Sequence, residues 1–148
     1  TWDQFLTTRM FQPLGMDRSR VETADLATMQ DVAMPHVRKG QDPKAPQKSM
    51  AYQPLQGADG ACGVMSTVTD LAKWDAMWMN EGQVARKPFL SKESWTTLTT
   101  PQLSNEVGPE SNTAGRHFNG TAMGWFTNDQ YGSKIITHSG GMRASAPT

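Results

Sequence analysis

The 148 residues carry 14 basic and 14 acidic side chains, and neither sign is clustered along the chain. This balance excludes the charge pattern of a nucleic-acid-binding domain and that of a basic membrane-surface helix. No apolar run is long enough to span a membrane, and the single cysteine, Cys62, excludes an internal disulfide and any multi-cysteine metal site. We therefore predict one domain over residues 1–148, with no nucleic-acid partner, no membrane span and no cofactor.

The first third of the chain predicts one clear helix followed by weaker signals. Apolar residues near one face predict a helix over residues 1–12, which Pro13 should end. Residues 17–35 hint at a second, short helix. Residues 39–55 are rich in Pro, Lys and Gln, which predicts a loop.

The strongest helical pattern lies in the middle of the chain, over residues 67–81. Apolar side chains recur there at i, i+3, i+6 and i+7, as Leu71, Trp74, Met77 and Trp78. We interpret this face as core packing rather than a cofactor site. Ser66 or Thr67 should cap the helix N-terminus, and Gly82 should end it in a left-handed conformation.

The last third predicts a helix, a loop and a hairpin. Ser91 should cap a helix over residues 92–99, and the polar residues 102–120 predict a surface loop. Residues 123–127 and 134–138 predict two strands joined by a turn. Helices followed by an antiparallel hairpin indicate an α+β fold.

The motif with the most chemical content is His138-Ser139-Gly140-Gly141, directly after the last predicted strand. Its glycines let a ligand approach the backbone, and their N–H groups can face a developing oxyanion. The motif is not a nucleophile elbow, because no Asp, Glu or His follows Gly141 to complete a triad. Adjacency does not make His138 and Ser139 a dyad either, since neighbours on a strand point to opposite faces.

The histidines do not predict a metal site. His36, His117 and His138 lie far apart, and no pair has the spacing of a helical zinc motif. We interpret each as a hydrogen-bonded structural histidine rather than a metal ligand. Cys62 has no nearby histidine, so we interpret it as a small buried residue rather than a nucleophile.

Several short blocks of sequence, spread along nearly the whole chain, resemble a known family when they are taken together in order. They are residues 11–16 (FQPLGM), 32–36 (VAMPH), 60–66 (GACGVMS) with 69–74 (TDLAKW), 123–125 (MGW) and 138–141 (HSGG). In this order they resemble the later part of the serine β-lactamase and penicillin-binding-protein-like hydrolases. The most similar branch contains the class C β-lactamases, the D-alanyl peptidases and the family VIII esterases.

The resemblance implies a partial β-lactamase-like α+β fold. Residues 1–120 would be mostly helix and loop, and residues 121–148 would supply strands of the main antiparallel sheet. The resemblance also implies a serine hydrolase that acts through an acyl-enzyme on a small-molecule ester, β-lactam or D-amino-acid amide. Members of the family are often exported, but the localisation of this chain stays open.

The resemblance also implies roles for the final motif. His138, Ser139 and Gly140 would fill the family's third active-site motif, on a strand that borders the active site. Gly141 would supply a backbone N–H to the oxyanion hole, and His138 would orient the polar network or the substrate. Ser139 and Gly140 would bind substrate.

The family's first two motifs are absent. No serine in the chain begins a Ser-x-x-Lys sequence, and neither Tyr52 nor Tyr131 begins Tyr-x-Asn. Because both motifs precede these blocks in the family, we expect an internal to C-terminal fragment of a parent hydrolase that is inactive by itself. The alternative is a non-catalytic binding or interaction module derived from the same fold. In either case, unpaired sheet edges favour self-association.

Overall fold

A computed structural model of the chain describes residues 1–21, 28–38, 40, 42–51, 59–107 and 115–140. The described residues form two compact units, residues 1–75 and residues 76–140, which we describe separately. No helix within those described ranges is both long and apolar enough to cross a membrane. The single domain expected from the sequence stays a prediction.

The first unit begins with a helix in three continuous segments. These are α1 (Trp2–Leu6), a π-helical turn (Thr7–Phe11) and α2 (Gln12–Leu14). The prediction that Pro13 ends this helix was wrong. The wider π turn precedes the proline, which then occupies the start of α2, where its missing N–H is tolerated. The helix ends at Gly15, with φ 66°.

A small hairpin follows in the first unit, and its second strand lies within residues 39–55, where the sequence predicted a loop. Strand β1 (His36–Arg38) pairs antiparallel with β2 (Gln47–Ser49). Strand β2 could not be predicted because all three of its residues are polar and exposed, so it has no apolar alternation. Part of the short helix hinted at over residues 17–35 lies outside the described residues; Thr28 belongs to a 3₁₀ helix, and residues 17–21 and 29–35 form turns and extended chain.

Two helices follow, α3 (Asp59–Cys62) and α4 (Val68–Met79), and the second confirms the strongest sequence prediction. Thr67 Oγ1 accepts the backbone N–H of Asp70 at 3.2 Å, as an N-cap should. At the other end Gly82 has φ 81° and donates its N–H to the carbonyl of Met77 at 2.9 Å. These bonds satisfy backbone groups that a helix leaves open at its ends.

The buried face of α4 is narrower than its sequence pattern predicted. Met77 and Trp78 are buried, whereas Leu71 is 46% exposed. In the second unit, Trp78 packs edge to face against Trp125 with ring centroids 4.8 Å apart, and its carbonyl accepts the indole N–H of Trp95 at 3.2 Å. Aromatic pairs of this kind add stabilisation beyond their buried area.

The second unit continues with a two-stranded ribbon and a helix. Strands β3 (Gln83–Val84) and β4 (Lys87–Pro88) pair antiparallel. Helix α5 (Lys92–Thr99) has the predicted bounds, and Ser91 Oγ accepts the N–H of Ser94 at 3.0 Å as predicted for its cap.

A four-stranded antiparallel sheet completes the second unit. Its strands, in spatial and chain order, are β5 (Leu103–Asn105), β6 (Asn119–Thr121), β7 (Phe126–Gln130) and β8 (Ser133–Thr137). Strands β5 and β6 correct the predicted loop over residues 102–120. Both are short and polar, so neither carries an alternating pattern that could predict a strand.

The hairpin β7–β8 was predicted, but its turn is tighter than expected. Tyr131 and Gly132 form a two-residue turn with φ 50° and 79°, which suits a type I′ hairpin. Asn128 and Asp129, assigned to the turn from their residue types, lie inside β7 instead and pair with Ile135 and Lys134. A type I′ turn matches the right-handed twist of the two strands, and the residue types alone did not predict its position.

Candidate functional site

The candidate site lies where β8 ends. In the sheet order, β8 is an edge strand that pairs with β7, and the described residues place no strand on its other side. The strand ends at Thr137, opposite Phe126 of β7, and the chain continues directly into His138. An edge strand leaves alternate backbone N–H and C=O groups open to an extended ligand.

The imidazole of His138 stacks on the ring of Phe126, with centroids 5.4 Å apart and planes inclined by 24°. His138 is otherwise exposed, and neither ring nitrogen bonds to a residue within the described ranges. The apolar contact therefore restricts the orientation of the ring while its nitrogens stay accessible. A histidine in this position can donate or accept one proton, or hydrogen-bond an anionic group.

Ser139 and Gly140 continue from His138, and both are exposed. A Cβ added at Gly140 would meet no atom within 4 Å, so the backbone there is open to approach by a ligand. Gly141, the expected oxyanion-hole residue, lies outside the described residues. Three of the four residues of the motif are thus consecutive and accessible at one end of the sheet.

The other two histidines are hydrogen-bonded, as the sequence interpretation expected. His36 Nδ1 lies 2.7 Å from the carbonyl oxygen of Met34. His117 Nδ1 lies 2.7 Å from Asp129 Oδ2. Over the described residues, no group of three or more His, Cys, Asp or Glu side chains is arranged to hold a metal ion.

Among the described acidic residues of the second unit, Asp129 has the most hydrogen bonds to its carboxylate. Beside its contact with the imidazole of His117, Oδ1 accepts the backbone N–H of His117 at 2.7 Å and that of Phe118 at 2.9 Å. The imidazole contact, followed by the two N–H bonds, lowers the pKa of Asp129 well below its usual range. His117 itself is exposed, so the pair presents an oriented imidazole to solvent.

A second polar cluster, in the first unit, surrounds the buried carboxylate of Asp70 near the start of α4. Its Oδ2 accepts the backbone N–H of Arg18 at 2.8 Å and the hydroxyl of Ser19 at 3.0 Å. Its Oδ1 accepts the ammonium of Lys73 at 3.0 Å, and the same ammonium donates to the carbonyl of Gly15. The cluster thus ties the loop after α2 to the first turns of α4.

The cluster keeps Asp70 ionised. Burial by itself raises the pKa of this carboxyl, but the hydrogen bonds from Lys73, the Arg18 N–H and Ser19 outweigh it and lower the pKa. Local sequence does not reveal this role of Asp70. Only Lys73 is a near neighbour in the chain; Ser19 and Arg18 lie 51 and 52 residues earlier, and no local pattern connects them to Asp70.

Comparison with known proteins identifies the family. The family model described as Beta-lactamase matches residues 1–146. Because the match covers nearly the whole chain, this protein belongs to the β-lactamase family, whose members include serine hydrolases and penicillin-binding-protein-like proteins. No curated protein matches the chain.

A solved structure supports the same fold. The octameric penicillin-binding protein homologue from Pyrococcus abyssi aligns over 93% of this chain with a TM-score of 0.68 and 22% sequence identity. The partial β-lactamase-like α+β fold expected from the sequence is therefore confirmed. The aligned region makes up 28% of that homologue, so the chain spans less than a third of its length.

Proposed function

We propose that this chain is the part of a serine hydrolase that carries the active-site strand, in an enzyme acting through an acyl-enzyme. Its substrate would be an ester, a β-lactam or a D-amino-acid amide. The observation that carries the proposal is the position of His138, Ser139 and Gly140, exposed in succession at the end of an edge strand. Membership of the β-lactamase family supports it.

In this proposal the chain contributes binding and electrostatic groups rather than the nucleophile. The backbone N–H of Gly141 would stabilise the oxyanion of the tetrahedral intermediate, a contribution that is often the largest single term in acyl transfer. His138, held against Phe126, would orient the polar network or the substrate. Ser139 and Gly140 would hydrogen-bond the substrate along the open edge of β8.

The 148 residues contain no Ser-x-x-Lys sequence, so we expect the chain by itself to form no acyl-enzyme. The test is mass spectrometry of the purified chain after incubation with a β-lactam or a fluorophosphonate. The expected result is an unchanged mass. A stoichiometric covalent adduct would show that a nucleophile is present here and would overturn this part of the proposal.

The complementary experiment, which looks for acylation of a longer protein, requires the sequence encoded upstream of Thr1. An in-frame Ser-x-x-Lys and Tyr-x-Asn there would permit expression of the longer protein, which we expect to be acylated by the same reagents. In that protein, Ser139→Ala and His138→Ala should lower the acylation rate by about tenfold or more. Replacement of His36, which lies outside the motif, by alanine is the matched control and should leave the rate unchanged. Equal acylation rates for all variants would show that the motif takes no part in the active site.

The second candidate is a non-catalytic binding or interaction module built on the same fold. It is favoured by the absence of the nucleophile motif from these residues. An upstream start codon without either motif, together with saturable binding of a β-lactam that leaves the protein mass unchanged, would select it over the hydrolase.

A further inference from the structure

A cavity of about 130 Å³ opens in the first unit, beside the polar cluster around Asp70. Its polar lining includes Arg18, Arg20, Asp31 and Thr67, and its apolar lining includes Met29, Val32 and Met65. Its volume is several times the roughly 30 Å³ that a water molecule occupies in the liquid. The cavity therefore suits a small organic molecule of a few non-hydrogen atoms.

The two arginines differ in their partners. The guanidinium of Arg18 forms an ion pair of 2.9 Å with Asp31. Arg20 is held through its backbone, which exchanges two hydrogen bonds of 2.8 Å with Met65. Its guanidinium makes no hydrogen bond or ion pair with any residue in the described part of the chain. After Asp31 neutralises Arg18, the positive charge of Arg20, a residue that lines the cavity, has no counter-charge among the described residues.

A hydrogen-bond count identifies one further free donor. Thr67 Oγ1 accepts the N–H of Asp70 at 3.2 Å, and no described acceptor takes its own hydroxyl hydrogen. Ser66 differs. Ser19 donates to the ionised Asp70, so in the 2.8 Å contact between the two serines Ser66 must donate to Ser19. Two residues that line the cavity thus have free donors, the guanidinium of Arg20 and the hydroxyl of Thr67.

We propose that this cavity binds a small monocarboxylate with a short aliphatic chain. A carboxylate matches the single unpaired charge and the planar fork of a guanidinium, which binds it through two parallel hydrogen bonds. The side chains of Met29, Val32 and Met65 provide an apolar wall for the aliphatic end. A phosphate dianion fits less well because the carboxylate of Asp31 lines the same cavity.

The test uses sodium butyrate as the probe and the amide NMR signals of the full chain as the readout. We expect saturable shifts in signals of residues 18–20 and 65–67. Arg20→Gln should weaken binding by about tenfold or more, because it removes a charge-assisted hydrogen-bonding partner. Arg38→Gln changes an exposed arginine of β1 outside the cavity and is the matched control, with unchanged affinity expected.

Two further measurements distinguish carboxylate binding in this cavity from binding elsewhere on the protein and from binding through the aliphatic chain alone. Val32→Glu places a carboxylate in the cavity wall and should abolish butyrate binding without altering the Arg20 backbone bonds. Butylamine, which keeps the aliphatic chain and reverses the charge, should not bind. The proposal is overturned by an absence of saturable butyrate binding, by equal affinity in Arg20→Gln, by equal binding of butylamine, or by tighter binding of inorganic phosphate.

Discussion

The imidazole of His117 and the carboxylate of Asp129 lie 2.7 Å apart, although the residues are 12 positions apart and only Asp129 belongs to a strand. Two backbone N–H groups complete the contacts of the carboxylate. The pair joins the segment before β6 to the hairpin β7–β8 near its turn. It therefore couples the ionisation of one carboxylate to the stability of the sheet that carries the candidate site.

This coupling predicts sensitivity to acid. The pKa of Asp129 is lower in the folded protein than its ordinary value of 3.8, so below that value the unfolded chain binds the proton first. The stabilisation is full well above pH 3.8 and is lost as the pH falls through the lowered pKa of the folded state. Asp129→Asn should be less stable than the wild type at neutral pH and lose less stability on acidification. Urea denaturation at about pH 3 and about pH 6 measures both effects.

The control for this experiment is Asp75→Asn, which changes an exposed carboxyl of α4. Asp70 also has a lowered pKa, so part of the acid sensitivity should persist in Asp129→Asn. An identical loss of stability between the two pH values in the wild type and in Asp129→Asn would contradict the assignment.

We expect the carboxylate of Asp70 to hold the loop after α2 against the start of α4. Asp70→Ala removes the acceptor for the Arg18 N–H and leaves Lys73 without its anionic partner. We expect a lower melting temperature and much faster hydrogen exchange at the Arg18 amide. Asp75→Ala should change neither quantity. Retained protection of the Arg18 amide in Asp70→Ala would show that other contacts hold this loop.

Two methionines of α4 offer a matched comparison of burial. Met77 is 1% exposed, whereas Met79, two residues later on the same helix, is 84% exposed. Met77→Ala should lower the free energy of unfolding by about 2–5 kcal/mol, the usual result of a large-to-small change in a core. Met79→Ala should change it by no more than about 0.5 kcal/mol. Chemical denaturation of both variants measures the difference, and similar values would argue that Met77 is not packed as described.

Gly82 should tolerate no side chain, for two separable reasons. Its φ of 81° strains any residue with a Cβ by about 1–2 kcal/mol, and an added Cβ would lie 2.8 Å from Leu90 Cβ. Gly132 has a similar φ of 79° with open space around it. Gly132→Ala should therefore show the backbone cost alone, and Gly82→Ala a clearly larger loss of unfolding free energy. Equal losses of unfolding free energy in the two variants would show that the contact with Leu90 adds no cost.

The outer edges of the four-stranded sheet predict self-association. Strands β5 and β8 are its edges, and exposed edges readily pair with another chain. We expect size-exclusion chromatography with light scattering to show oligomers that increase with protein concentration. A monomer at all concentrations, with a sharp and reversible thermal transition, would contradict this expectation.

Local sequence determined the helices whose capping residues lie next to them in the chain. The start of α5 follows from Ser91, and the ends of α4 follow from Thr67 and Gly82, because caps act within one helical turn. The family was also recognisable from short blocks in order. His138–Gly141 was identified as the candidate site on the same basis, and its role stays a prediction.

Tertiary structure decided the rest. The polar strands β2, β5 and β6 have no apolar alternation and form because a neighbouring backbone supplies their hydrogen bonds, which side-chain patterns do not encode. The Asp70 cluster, the His117–Asp129 pair and the cavity beside Arg20 join residues that lie far apart in the chain. Such contacts exist only after folding brings the partners within hydrogen-bond distance, so local sequence predicted the helices but not the polar groups gathered around them.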